Sequence, residues 1–174
     1  MVHSLEIIII KAELSNFTDM EINKTKLDSA ETFEELADIG IDILKQMNIS
    51  GKPIVQMCGP ISTGGLGSIE KNIARLEKAI EVANKKGLQV FNQAPFEGAM
   101  KRLAPKYPKV DGYCTAILEI FYRRIFESGF VKKGLFLPGW QSSKGATWER
   151  KLLSDLGIKI EEYPEEWLSE IEGK

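Results

Sequence analysis

The segment KPIVQMCGPISTGGLGSIEKNIARLEKAIEVANKKGLQVF, residues 52–91, constrains the fold more than any other part of the chain. Its short apolar run, Ile54-Val55-Gln56-Met57-Cys58, suits a buried strand. After the loop GPISTGGLGS, Ile69, Ile73, Leu76, Ile80 and Ala83 recur as one apolar stripe of a helix. Ser68 fits its N-cap and Gly87 its stop. Leu88-Gln89-Val90-Phe91 then reads as a second strand. Two strands joined through a helix must run parallel, because a crossover of this kind returns the chain to the same end of the sheet.

The alternation extends in both directions. Leu5 to Leu14 is β-branched, bounded by Ser15-Asn16, and predicts a strand; Ser29 to about Met47 carries Phe33, Leu36, Ala37, Gly40, Ile41 and Leu44 at helical spacing. Beyond Phe91, Pro95, Gly98, Pro105 and Pro108 predict a loop. A helix is expected between about Asp111 and Ser128, closed by Gly129, and a strand at Gly134 to Leu137. A helix from Ala146 to Leu156, stopped by Gly157, and a strand from Ile158 to Tyr163 complete the pattern, with Trp167-Leu168 packed on the surface. The expectation is one α/β domain over residues 1–174: a three-layer sandwich whose mainly parallel sheet has helices on both faces.

Of 174 residues, 43% are hydrophobic, enough for one core and short for two domains. The formal charge of -2 excludes a strong global attraction to nucleic acid and leaves room for a local anion site. Cys58 and Cys114 are too few for a disulfide scaffold, and His3 is the only histidine, which disfavours a His-based metal site or a Ser-His-Asp triad. The apolar run near the start is too short to span a membrane and lacks a cleavage pattern, so a cytoplasmic protein is expected.

Ligands of such sheets bind outside the carboxyl ends of the strands, where GPISTGGLGS and LPGWQSSKGATWE should both lie. Glycines such as Gly59, Gly64 and Gly65 let backbone N–H groups approach an anion, and the helix start behind them adds a favourable dipole. The loop matches neither GxGxxG nor a Walker sequence, so nicotinamide cofactors and ATP are disfavoured. A plain flexible connection is the competing reading. In the second loop, Ser143 can cap a helix that carries Glu149 in or near its first turn, where the dipole favours an ionised carboxylate. Such a group either stabilises the helix or serves as a nucleophile toward a sugar carbon. Trp140 either stacks on a base or closes the loop as a partly buried ring.

MCGPI and LPGWQSSKGATWE together resemble the nucleoside 2-deoxyribosyltransferase superfamily, especially its branch with an LPGW-x-x-S-x-G-A-x-x-E signature. The resemblance runs from about Pro53 to Tyr163, with residues 1–50, a strand plus a helix, as an N-terminal extension. It implies a flavodoxin-like or Rossmann-like fold and cleavage of the N-glycosidic bond of a nucleoside or nucleoside monophosphate, the sugar passing to another base or to water. It places the nucleophile at Glu149, and Ser143 with Gly59, Pro60, Ile61 and Ser62 around the 5′ end or phosphate. Gly64, Gly65, Trp140 and Gly145 complete the candidate substrate contacts. The resemblance implies no metal or organic cofactor, and an assembly of two or more copies, to which the first fifty residues could contribute.

Two positions depart from that pattern. Gln56 stands where many active members carry a tyrosine that contacts the nucleophile, and YRRIFESGFVKKGLFLPGW has no aspartate to assist the leaving base, showing Arg123, Arg124, Lys132 and Lys133 instead. Asp111, Glu97, Glu119 or Glu127 are the candidate substitutes. A binding protein for a nucleotide or phosphosugar, without catalysis, is the alternative function.

Overall fold

The computed structural model describes residues 23–172. The strand expected at Leu5 to Leu14 lies outside the described residues. A helical segment at 23–29 leads into α1 (Phe33–Asn48), which starts four residues later than the sequence pattern suggests. Thr32 sets that start: its hydroxyl accepts the Glu35 N–H at 3.1 Å, while the Glu35 carboxylate reaches back to the Glu31 N–H at 2.6 Å. These reciprocal bonds satisfy donors that a helix start otherwise leaves unpaired.

Strand β1 (Ile54–Cys58) is buried at all five positions and runs parallel to β2 (Gln89–Phe91) and to β3 (Val131–Phe136). β3 in turn pairs parallel with β4 (Lys159–Glu162), giving the order β2-β1-β3-β4. With helices packed on it, this all-parallel sheet is the expected α/β sandwich. β3 begins three residues before the apolar run because Val131 and Lys133 pair with Ile54 and Val55 of β1, the register shifting across Lys132. Lys133 is paired there with Glu161 at 2.8 Å.

Alternate residues of β1 enter different hydrophobic clusters, as the twofold period of a strand requires. Val55 and Met57 join Leu76, Ala79, Ile80 and Ala83 of α2 (Ile69–Lys85), and Trp167, Leu168 and Ile171 of the last helix pack against them. Ile54 and Cys58 join Phe33, Leu36, Ala37 and Leu44 of α1, together with Phe96, Phe121 and Phe136. The apolar stripe of α1 is therefore buried against its own chain.

Two expectations are corrected, and a helix appears that the sequence reading did not name. The Pro-rich segment after β2 is not a loop: a 3₁₀ turn (Ala94–Phe96) leads into α3 (Glu97–Leu103) and a second 3₁₀ turn (Ala104–Lys106). Pro95 and Pro105 occupy first-turn positions, where a missing N–H costs nothing. Asp111 does not start a helix either. Asp111 and Gly112 both have positive φ, 48° and 75°, and Val110 and Tyr113 exchange two 2.9 Å backbone bonds, the geometry of a two-residue Asp-Gly turn. The helix begins later, as a π-helix (Ile117–Tyr122) continued by α4 (Arg123–Glu127). Finally, Trp167 and Leu168 lie in a helix, α6 (Glu165–Glu172), which follows α5 (Lys144–Asp155) and β4. Among the described residues, no helix is long and apolar enough to cross a membrane.

Gly134 in β3 admits α5 close to the sheet, since a Cβ there would collide with the Leu153 side chain, itself fully buried. Gly134→Ala should lower stability by about 1–3 kcal/mol through overpacking. Urea denaturation should show the loss, and the double variant with Leu153→Val should cost less than the sum of the single changes.

Candidate active site

From β1 the chain crosses to β2 on one side and later returns to β3 on the other, so the loops leaving β1 and β3 diverge at the point where the strand order reverses. A crevice opens there in parallel sheets. Both loops singled out in the sequence flank it. They are bonded to each other: the Ser142 hydroxyl accepts the Gly65 N–H at 3.1 Å, and the Thr63 hydroxyl accepts the Lys144 N–H at 2.9 Å. Arg75 adds a bond to the Pro138 carbonyl at 3.0 Å.

Within the first loop, buried Asn72 accepts the Leu66 N–H at 2.8 Å and donates to the Ile61 and Gly64 carbonyls at 2.9 and 3.1 Å. Gly64 and Gly65 have φ of 68° and 69°, and a Cβ on either would collide with Ser142 or with Asn72 and Pro60. Glycine is required at these two positions for loop-to-loop packing. The loop is not a slack connection, and its Gly65 and Leu66 N–H groups are spent on Ser142 and Asn72.

Between the loops lies a cavity of about 80 Å³. Gly59, Ile61 and Ser62 line it from the first loop, and Ser143, Gly145 and Glu149 from the second loop and α5. Glu97 of α3, Tyr113, and Leu118 and Tyr122 of the π-helix close the remaining side. Ile61 and Ser62 also border a second cavity of about 330 Å³, walled by Gly64, Gly65, Ser68 and Asn72. Trp140 and Pro60 are elsewhere. Trp140 is stacked on the Arg150 guanidinium, 4.3 Å from the ring centre, and edge-on to Phe136, which leaves it the loop-closing role rather than base stacking. Pro60 is buried beneath Gly65 as a buttress of the loop.

Ser143 caps α5, accepting the Ala146 N–H at 3.2 Å, as the sequence predicts. With Lys144 as the first helical residue, Glu149 is the sixth and lies in the second turn. The expectation of a first-turn carboxylate kept ionised by the helix dipole is thereby corrected. Glu149 is only 6% exposed, and burial pushes its carboxyl up to about 8. The neighbouring Cys58 thiol, which donates to the Gln56 carbonyl at 3.9 Å, offsets part of the rise, and the Glu97 charge adds to it. Burial likewise raises Glu97 to about 7.

Of the four candidate acids, only Glu97 reaches the cavity. Glu119 binds Arg123 at 2.6 Å and the Trp148 indole at 2.8 Å, Glu127 lies 3.5 Å from Arg123, and Asp111 is exposed on its turn. The basic run is spent in structural pairs: Arg124 with Asp38, Lys132 with the Gly129 carbonyl, and Lys133 with Glu161.

Two tyrosines escaped the sequence reading. Tyr113, carried by the Asp-Gly turn, lines the cavity together with Ser62; burial, followed by the Glu149 charge, pushes its phenol to about 12. Tyr122 is buried beside both carboxyls and its phenol is likewise raised. The signal for Tyr113 was the dipeptide Asp111-Gly112, which favours positive φ and a tight turn rather than a helix start. Gln56, in the tyrosine's expected place, is fully buried and donates to the Met57 carbonyl at 3.3 Å. Among the described residues, no group of three or more His, Cys, Asp or Glu is placed to hold a metal ion. No family model, no curated protein and no solved structure matches the chain.

The raised carboxyls tie stability to pH. Glu149 keeps its proton in the fold up to about 8 but loses it near 4.5 in the unfolded chain, so the contribution is full below about 4.5 and is lost as pH rises toward 8. Melting temperatures should therefore fall between about pH 5 and pH 9, and Glu149→Gln should flatten that decline. A wild-type profile as flat as the variant's would contradict the buried carboxyl.

Proposed function

We propose that the chain cleaves or transfers at the N-glycosidic bond of a nucleoside-type substrate, with Glu149 as nucleophile and Glu97 as the acid that protonates the leaving base. The observation that carries this reading is that Glu97 and Glu149 line one cavity at the switch point of the sheet. Paired carboxyls about a glycosidic carbon are a known solution to glycoside cleavage. The resemblance of LPGWQSSKGATWE to the nucleoside 2-deoxyribosyltransferase signature points the same way, and it puts the nucleophile on the same residue.

The two carboxyls titrate as a coupled pair near neutrality, so around pH 7 to 8 the pair holds roughly one proton between them. Burial favours that proton on Glu149, the more deeply buried partner, so the reactive arrangement is the minor one, with the proton moved to Glu97. As the bond from C1′ to the base nitrogen breaks, its electrons pass to the base and Glu97 supplies the proton. Positive charge grows on the sugar and is met by the Glu149 carboxylate, which forms the glycosyl ester. Water or a second base then attacks C1′; Glu97, now ionised, takes its proton, and the ester bond breaks to restore Glu149. The Cys58 thiol lowers the cost of ionising Glu149, and the buried tyrosines keep bulk water off the ester.

Base release from a panel of nucleosides and monophosphates, followed by chromatography, tests the proposal. Glu149→Ala should abolish release. Glu97→Gln should lower it by about a hundredfold or more, the usual worth of general acid catalysis. Release indifferent to Glu149 would remove the mechanism, and saturable binding without product would favour the non-catalytic alternative.

A further inference from the structure

We infer that residues 108–114, built around the Asp-Gly turn, form a hinged flap over the crevice, latched by Tyr113, which lifts to let a ligand reach Glu97 and Glu149. The flap governs access to the two carboxyls, whatever chemistry they perform.

The size of the cavity sets the need. About 80 Å³ around Glu97 and Glu149 has room for a few water molecules, whereas an organic ligand fills a few hundred cubic ångströms. The larger second cavity is no substitute, since neither carboxyl lines it. One wall has to move.

Three walls are held. The two strand-end loops are bonded to each other through Ser142 and Thr63. α5 is fixed by Arg150, which is paired with Glu162 and stacked on Trp140. The π-helix and α3 send Phe121 and Leu103 into the core, with the Phe121 ring 5.2 Å from that of Phe96. Moving any of these breaks buried packing, which couples their motion to unfolding of the domain.

The fourth wall is held differently. Residues 108–112 are exposed, Val110 to 57%. Their backbone is tied to its own turn, through the two bonds between Val110 and Tyr113, and these keep the hairpin stiff. Two side chains hold it down, the half-buried Tyr113 and the buried Cys114. A Cβ built on Gly145 would lie 3.4 Å from the Tyr113 hydroxyl, so the phenol spans the crevice from the flap to the first turn of α5. The bare backbone of Gly145 is its seat.

Both ends of the flap meet fixed points. Before it, the Tyr107 hydroxyl accepts the Phe33 N–H at 3.2 Å and the two rings lie 4.6 Å apart, which anchors the chain to α1. After it, the Thr115 carbonyl accepts the Leu118 and Glu119 N–H groups at 3.0 and 2.9 Å, at the start of the π-helix. A few residues next to such anchors are enough to absorb the rotation of a stiff segment. Lifting the flap draws Tyr113 off the carboxyls and Cys114 out of its cover, and leaves the sheet, the loops and Cys58 in place.

The two native thiols supply the experiment. The full chain is alkylated with iodoacetamide at increasing urea below the unfolding transition, and Cys58 and Cys114 are followed separately by peptide mass, each rate normalised to the same thiol in the unfolded chain. Cys114 should react about a hundredfold or more faster than Cys58, at a rate nearly independent of urea, because a local opening exposes little surface; Cys58 should accelerate with urea as global unfolding does. Equal rates, or parallel urea dependence of the two thiols, would overturn the flap. Tyr113→Ala should raise the Cys114 rate by about tenfold, the worth of a partly buried aromatic ring, with Cys58 unchanged. Tyr113→Leu keeps an apolar side chain, should give a smaller rise, and replaces the alanine variant if that one does not fold. No rise in the folded variant would remove Tyr113 as the latch. The labelling uses no substrate, so its failure and that of the glycosidic reading are separate results.

Discussion

The Glu149 carboxyl is buried beside the Cys58 thiol at the end of β1, and no ammonium or guanidinium lies among the cavity residues. Ionising a carboxyl in such surroundings is expensive, so the group holds its proton well above the usual carboxylate range. Much of the local architecture follows. Burial raises Glu97 to about 7, the phenols of Tyr113 and Tyr122 stay neutral beside it, and Cys58 is held as a thiol.

The fold was legible wherever one element determined itself. β1, α2 and the Ser68 cap stand where local hydrophobic pattern puts them, although Ile69, the first residue of the expected stripe, is exposed. The segment from Gln93 to Tyr113 was misread for the opposite reason. Proline at a first helical turn and proline in a loop look the same in sequence, and α3 is too short for its Ala99, Met100 and Leu103 to repeat a stripe. α6 was also missed, since its apolar residues are few and become a face only against α2.

At the site, the residues nearest a motif were readable and those arriving from elsewhere were not. Ser143, Gly145, Gly59, Ile61 and Ser62 do surround Glu149, but Gly64 and Gly65 belong to the loop-to-loop contact and Trp140 to the Arg150 stack. Glu97 could be named only as one of four acids, because nothing in a linear sequence says which carboxyl a helix will turn inward. The ionisation of Glu149 was judged from the helix dipole, worth about 1 kcal/mol at most positions, whereas burial outweighs it by several fold.

Arg150 follows the acid directly in the chain, yet its guanidinium is sandwiched on the Trp140 and Phe136 rings and paired with Glu162 of β4 at 2.8 Å. These contacts act as a rotational lock on α5, turning the cation to one side of the helix and its neighbour's carboxyl to the other. Because the cation is held there, it does not neutralise the carboxyl, whose charge follows the acidity of its surroundings rather than an internal counter-ion.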